Sequence, residues 1–283
     1  FNTTTYTGNG TNTSQATGVD INTDGGMIWF KSRNESYGHA LFDTERGTEE
    51  ALRTNELQGQ DNRSNSLLYF RAIDQAIPGF YTGDWSALNG SNTQYVAWSF
   101  KQEPKFFDVV KYTGNREELH AIPHGLQTTP GMIIARPINP TDNWYVWHKD
   151  IPQGERMFLN DSGPSAADPT IWTMTPPTDS VFYVGKDAGV NGTDGDTIAY
   201  LFADDTLIKC GTYQGNGSSD GPTVELGFEP QWLMIKYRAG TASWVTYDSV
   251  RSPSNPRKAR LCPDTSNSET ESNNIAIDFT STG

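Results

Sequence analysis

Cysteine is nearly absent from this chain: 283 residues contain two, Cys210 and Cys262. That excludes a scaffold stapled together by disulfides. Histidine is scarce too, at four residues. His39, His120, His124 and His148 share no metal-ligand spacing. His120 and His124 stand four apart, but Pro123 and Gly125 break any helix that would align them. Basic charge is sparse. Lys and Arg number 21 against 34 Asp and Glu, leaving a net charge of −13 and a pI near 4.7. Phosphate contacts need clustered Lys and Arg, so nucleic-acid binding is excluded. No apolar run approaches the ~20 residues that span a bilayer. Charged residues of all kinds make up 19% of the chain, and hydrophobic residues 35%. The polarity is therefore carried by Asn, Ser, Thr, Gly and Gln. An aromatic content of 12% suits strands and sandwich cores, with Asn-Gly pairs as turns. Asn-x-Ser/Thr triplets at Asn2, Asn12, Asn34, Asn89, Asn160, Asn191 and Asn216 follow from this composition and are not read as glycan acceptors.

One phrase recurs at intervals of about 100 residues, the size of a small domain. Tyr6-Thr7-Gly8-Asn9-Gly10 returns as Tyr112-Thr113-Gly114-Asn115 and as Tyr213-Gln214-Gly215-Asn216-Gly217. Each copy is followed by the same landmarks in the same order. First comes an apolar run ending in a basic residue: Met27 to Lys31, Met132 to Arg136, Trp232 to Lys236. Next is an alternating strand: His39 to Asp43, Trp144 to His148, Trp244 to Asp248. A leucine follows at 52, 159 and 261. The first two copies close with Tyr95 to Phe100 and Thr197 to Phe202. The third reaches Ile275 to Phe279 without a closing strand, so an interior or partial piece of a longer polypeptide is expected. Both cysteines fall in the third copy, so a disulfide is no part of the shared fold; two free thiols or one accessory bridge remain open.

Period-two patterns dominate. Trp144, Val146 and His148 should face one side of a strand, Tyr145 and Trp147 the other. Thr44 to Leu57 alone leans toward a helix, and its counterparts carry prolines. The expected fold is all-β: tandem antiparallel β-sandwich repeats of jelly-roll, concanavalin- or lectin-like type, over 1–106, 107–207 and an incomplete 208–283. Six residues separate Phe100 from Phe107. Such short connections imply stiffly joined units, and a string of them would make a rod.

No catalytic constellation stands out. Glu49-Glu50 and Glu117-Glu118 are adjacent in sequence and so point to opposite faces of a strand, unlike the paired carboxylates of a glycosidase. No nucleophile elbow or phosphate loop is present. Lys31, Arg136 and Lys236 align, as do Asp43, His148 and Asp248; either they make lateral contacts in the first and third units or they are solvated independently. Asp187, Asn191, Asp194 and Asp196 in a Gly-rich loop are weak calcium candidates, matched by Asp84, Asn89 and Asn92 in the first unit. Turn formation explains the same residues. Trp85, Trp144 and Trp172, near loops or on an outer face, are candidate carbohydrate platforms.

On the Tyr6–Gly10, Tyr112–Asn115 and Tyr213–Gly217 phrases, the Trp144–His148 and Trp244–Asp248 strands and the Tyr95–Phe100 and Ile198–Phe202 closings, the chain resembles a repeat domain of bacteriophage tail-fibre and virion structural proteins, especially marine and cyanobacterial ones. The resemblance implies a concanavalin-like jelly roll in a virion setting, with no catalytic residues. The departures are Arg116-Glu117 for the opening's final glycine, Asp43 and Asp248 where the second unit has His148, and the missing third closing strand. The expectation is a non-enzymatic, extracellular part of a tail fibre, spike or capsid fibre. It would associate as a homotrimer by analogy with fibres, contact other virion proteins and reach toward a host surface glycan. A bacterial lectin or adhesin is the alternative.

Overall fold

The alternating runs form strands, and most of those strands serve two cores at once. The computed structural model describes residues 1–72 and 77–283. The first part of the chain contributes β1 (Asn2–Thr7), β2 (Thr13–Ala16), β3 (Gly26–Ser32), β4 (Ala40–Asp43), β5 (Gly47–Leu52), β6 (Asp61–Asn62), β7 (Leu67–Tyr69), β8 (Gly79–Thr82) and β9 (Gln94–Lys101). They pair antiparallel in a six-stranded sheet, β1-β9-β3-β4-β5-β6, and a three-stranded sheet, β2-β8-β7. The second part contributes β10 (Phe107–Thr113), β11 (His120–Pro123), β12 (Pro130–Pro137), β13 (Tyr145–His148), β14 (Glu155–Phe158), β15 (Ala166–Ala167), β16 (Val181–Val184) and β17 (Asp196–Ala203). The six-stranded order is β10-β17-β12-β13-β14-β15, with β11-β16 as the smaller sheet. Opening strand, closing strand, apolar strand and alternating strand lie in the same sequence across both large sheets. The third part keeps only the pair β18 (Trp232–Ile235) and β19 (Val245–Asp248), with a short ladder of β20 (Ala259–Arg260) and β21 (Thr270–Glu271). Among the described residues, helix is limited to single turns at α1 (Ile21–Asp24), α2 (Ser86–Asn89) and α3 (Ala188–Asn191) and one 3₁₀ turn at Asn273–Ile275.

Residues i and i+2 share a face of a strand, and the two faces of each large sheet meet different partners. In the first sheet, Ile28, Phe30, Tyr95 and Ala97 pack on Leu67 and Phe80 of the small sheet. In the second, Tyr145, Trp147, Ala199 and Leu201 pack on Ile122, Phe182 and Val184. These are two sandwiches, each with its own core. The alternate residues turn the other way into one core common to all three parts. Trp29, Trp98 and Phe100 meet Val146, Tyr200 and Phe202 there, joined by Trp244 and Leu261. The expected end-to-end string is therefore corrected: the units lie side by side around shared apolar surface. Trp144 and Val146 share a face as the alternation predicts, and Tyr145 and Trp147 on the opposite face are buried as well.

The helical reading of Thr44–Leu57 is also corrected, because Gly47–Leu52 is β5. Gly47 and Glu49 take φ of +98° and +67°. That left-handed backbone cannot propagate an α-helix, whereas pairing with β4 satisfies the backbone.

The recurring Tyr-Thr-Gly-Asn phrase is a clamp. Tyr6 Oη donates to Leu88 O and Tyr112 Oη to Val190 O, each at 2.7 Å, tying the opening strand to α2 and α3. A Cβ on Gly8 would stand 2.3 Å from Gly90 O, and one on Gly114 2.3 Å from Gly192 O. Only glycine allows that backbone approach. The Asn9 and Asn115 side chains each accept from the amide two residues on, at 2.9 Å, forming the Asx turn that reverses the chain.

Candidate functional site

The polar groups that sequence reasoning would assign to chemistry are spent mostly on holding the sheets together. Immediately before β4, β13 and β19 stand His39, Trp144 and Trp244, and each bonds to a carbonyl of another part of the chain. Trp144 Nε1 donates to Arg53 O at 2.9 Å, and Trp244 Nε1 to Phe158 O at 2.8 Å. His39 Nε2 meets Cys262 O at 3.0 Å. The second part thus holds the first, the third holds the second, and the first holds the third: the three bonds close a ring.

A second set of contacts follows the same sense. Tyr200 Oη of β17 donates to Asp43 Oδ2 of β4 at 2.6 Å, and Trp98 Nε1 of β9 to Asp248 Oδ2 of β19 at 3.1 Å. Both aspartates are fully buried. Asp43 is paired with Arg46 at 2.7 Å and Asp248 with Arg251. Arg251 also reaches Glu269 at 2.9 Å, which in turn grips Arg33. These aspartates do not meet the aligned basic residues. Lys31 donates instead to Ser32 O and Glu35 O, Arg136 to Leu57 O and Gln58 O, and Lys236 to Ser162 O and Ala242 O. Burial pulls the Lys31 amine down to about 8 and the Arg136 guanidinium to about 10. The sequence signal for the true pairs was Asp-x-x-Arg, present at Asp43–Arg46 and Asp248–Arg251 and replaced by His148-Lys149-Asp150-Ile151 in the second unit.

The proposed ligand residues divide. Trp144 and Trp172 are buried in the cores, so neither offers a ring face to a sugar, and both assignments are corrected. Trp85 is half-buried, with the Arg53 and Arg63 guanidinium groups 5.3 and 5.7 Å from its ring centre. An aromatic pair that the sequence reading passed over is more open. Tyr69 is 49% exposed and stacks on Tyr81 at 5.9 Å, with Arg71 over its ring.

Of the calcium candidates, Asp187 caps α3 by accepting from Gly189 N at 2.8 Å. Asn191 is buried; it accepts from Asn115 N at 2.7 Å and donates to Gly185 O and Glu117 O. Asn89 does the same work in the first sandwich, between Asn9, Gly83 and Thr11. Asp196 accepts from Thr113 Oγ1, while Asp194 joins no such contact among the described residues. Buried asparagines with all their capacity used are turn clamps. Among the described residues no three His, Cys, Asp or Glu side chains group as a metal site. Cys210 and Cys262 are free thiols, both pushed up by burial, Cys210 to about 12. That choice was open in the sequence and is unreactive in character. Two shallow, open hollows, of about 320 and 410 Å³, include Asp108, Lys111 and His124 in one lining and Arg116, Thr170, Lys186 and Asp187 in the other.

His39 gives the seams an acid limit. Its Nδ1 accepts from Trp29 Nε1 at 2.9 Å, so the proton sits on Nε2, which donates to Cys262 O. Burial, reinforced by the Lys31 charge, holds its pKa well below the ordinary histidine value, against the pull of the Cys262 carbonyl. A depressed folded pKa means that the unfolded chain takes up the proton first. Stability is then fully present above pH ~6.5 and falls, by about 1.4 kcal/mol per pH unit for each such histidine, as pH drops below it. Burial depresses His124 and His148 in the same direction. Urea midpoints at pH 7.5, 6.5 and 5.5 should therefore decline steeply over the lower interval. His39→Phe should flatten that decline; an unchanged slope would remove His39 from the account.

The fold and its seams define a class: antiparallel β-sandwiches fused through a common core. A family model described as a domain of unknown function (DUF7483) matches residues 1–283, and the chain belongs to that family. No curated protein and no solved structure matches it.

Proposed function

We propose that this chain is a bacteriophage virion structural protein, a non-enzymatic block of a tail fibre, spike or capsid fibre that adheres to the host surface. The observation that carries the reading is the ring of inter-sheet hydrogen bonds from Trp144, Trp244 and His39. It joins the three parts of the chain into one rigid block. The sequence resemblance to virion repeat domains supplies the setting. Rigid blocks suit projection of a surface on which many weak contacts add. Immunogold labelling of purified particles with an antibody to this chain tests the proposal. Label on fibres or spikes is expected, and particles that carry none would overturn it. Assembly as a homotrimer is a separate part of the proposal. A mass of three times the 31.3 kDa chain in solution is expected, and a single-chain mass would remove that part alone.

A lectin or adhesin is the second reading. It is favoured by the exposed Tyr69–Tyr81 stack with its flanking Arg71, since open aromatic faces beside polar donors suit sugar rings. Binding on a glycan array that Tyr69→Ala abolishes would support this reading; an array silent at high protein concentration would end it.

A further inference from the structure

We infer that the free edge of β18 is a binding slot for one extended peptide strand from outside these residues, of the pattern Ile/Val-x-Tyr-x-Phe, running antiparallel to β18. Two strands of this chain show what such a slot holds. The alternating strand lies on one side of β3 and of β12, and the closing strand, β9 or β17, lies on the other. Among the described residues β18 pairs with β19 alone. Every residue of β3 and of β12 is buried, whereas all four of β18 are only half-buried. An unpaired edge of this kind presents its N–H and C=O groups to an incoming strand.

The registers specify the occupant. Met27 stands opposite Phe100 and Trp29 opposite Trp98; Met132 stands opposite Phe202 and Ile134 opposite Tyr200. Lys31 faces Val96 and Arg136 faces Ile198. By equivalence the occupant sets a phenylalanine opposite Trp232, a larger aromatic opposite Met234 and a β-branched residue opposite Lys236. One buried polar atom without a partner lies in these surroundings, and one half-buried donor is left for an incoming strand. Trp232 Nε1 is buried without a hydrogen-bond partner. His148 is the one member of the Asp43, His148, Asp248 set that no closing strand reaches. Its Nδ1 accepts from Asp150 N at 3.2 Å, and its Nε2 finds no partner among the described residues. Tyr200 serves Asp43 and Trp98 serves Asp248; continuing that ring, the occupant's central aromatic serves His148. With Nδ1 accepting, Nε2 carries the proton and can donate to an acceptor on the incoming strand. A tyrosine hydroxyl can accept and an indole N–H cannot, so the central residue is tyrosine. The occupant also gives the third opening segment its missing neighbour. β1 pairs with β9 and β10 with β17, whereas residues 211–225 are exposed throughout and carry no strand.

The slot is independent of the virion reading, and the test uses the whole chain. The probe is a synthetic peptide of the Asp196–Ala203 sequence, Asp-Thr-Ile-Ala-Tyr-Leu-Phe-Ala, flanked by lysines for solubility. Saturable binding is expected, with amide exchange of Leu233–Ile235 slowed at least tenfold and that of residues 209–216 slowed as well. Replacing the peptide's tyrosine by tryptophan should weaken binding about tenfold, and proline at a ladder position should abolish it. Binding that leaves β18 exchange unchanged, or that the proline peptide matches, would overturn the inference. So would β18 amides already protected without peptide, whether by residues 209–216 or by a second copy.

Discussion

Arg46→Met is expected to lower folding stability by about 3–5 kcal/mol, the range for stranding one partner of a buried ion pair. The magnitude follows from what the guanidinium touches. Arg46 Nε donates to Asp43 Oδ2 at 2.7 Å, Nη1 to Glu50 O and Gln60 Oε1 at 2.6 and 3.1 Å, and Nη2 to Leu41 O and Tyr200 Oη at 3.1 and 3.4 Å. The arginine side chain is 1% exposed and Asp43 is fully buried. Methionine fills much of the volume but leaves the carboxylate without a countercharge. Arg46→Lys keeps the charge and loses the fork, so its cost should be intermediate. The double variant Asp43→Asn, Arg46→Met removes the stranded charge and should be more stable than Arg46→Met alone. Guanidinium unfolding curves measure all three. A cost for Arg46→Met under 1 kcal/mol would mean that water reaches Asp43 and that the seam between the first two sheets is open.

Much of the architecture was legible before the coordinates. Strand identity follows from alternation, and the equivalence of Tyr6 with Tyr112 follows from the repeated phrase and holds in their matched bonds to Leu88 O and Val190 O. What could not be read was which face meets which core. Trp144, just before β13, and Trp147, within it, enter different cores, and both are buried. Alternation separates the faces but does not say that one belongs to a single sandwich and the other to all three parts. Trp144 and Trp172 looked like platforms for that reason: a tryptophan near a loop is equally suited to a sugar and to a neighbouring sheet. The buried Asp-x-x-Arg pairs were hidden because a charged tetrapeptide after a strand resembles an exposed turn. Only the neighbouring Tyr200 and Trp98, distant in sequence, make the site interior.

Trp98→Ala is expected to cost about 3–5 kcal/mol as a large-to-small change in a packed core, and the place where the structure loosens is the informative part. Trp98 sits on β9, yet its indole donates to Asp248 of β19, and Arg251 lies 5.4 Å from its ring centre. Its edge meets Trp29 at 5.6 Å and Trp232 lies 6.5 Å away. The side chain therefore belongs to the first sheet by sequence and to the third by contact. Trp98→Phe keeps most of the apolar volume and removes the donor to Asp248, so it should cost less than Trp98→Ala, about 1.5–3 kcal/mol for a bond to a charged group. In both variants amide exchange should accelerate in β19 before it does in β2 and β8, which pack on the opposite face of the first sheet. Tyr95→Phe provides the contrast. Tyr95, three residues earlier on the same strand, faces the other way, and its hydroxyl bonds locally to Ser86 O and Gly90 N. Its loss should disturb α2 and leave β19 unchanged. If Trp98→Ala loosened β2 and β8 while sparing β19, the two faces of β9 would not be mechanically separate, and the third part would be held by something other than this core.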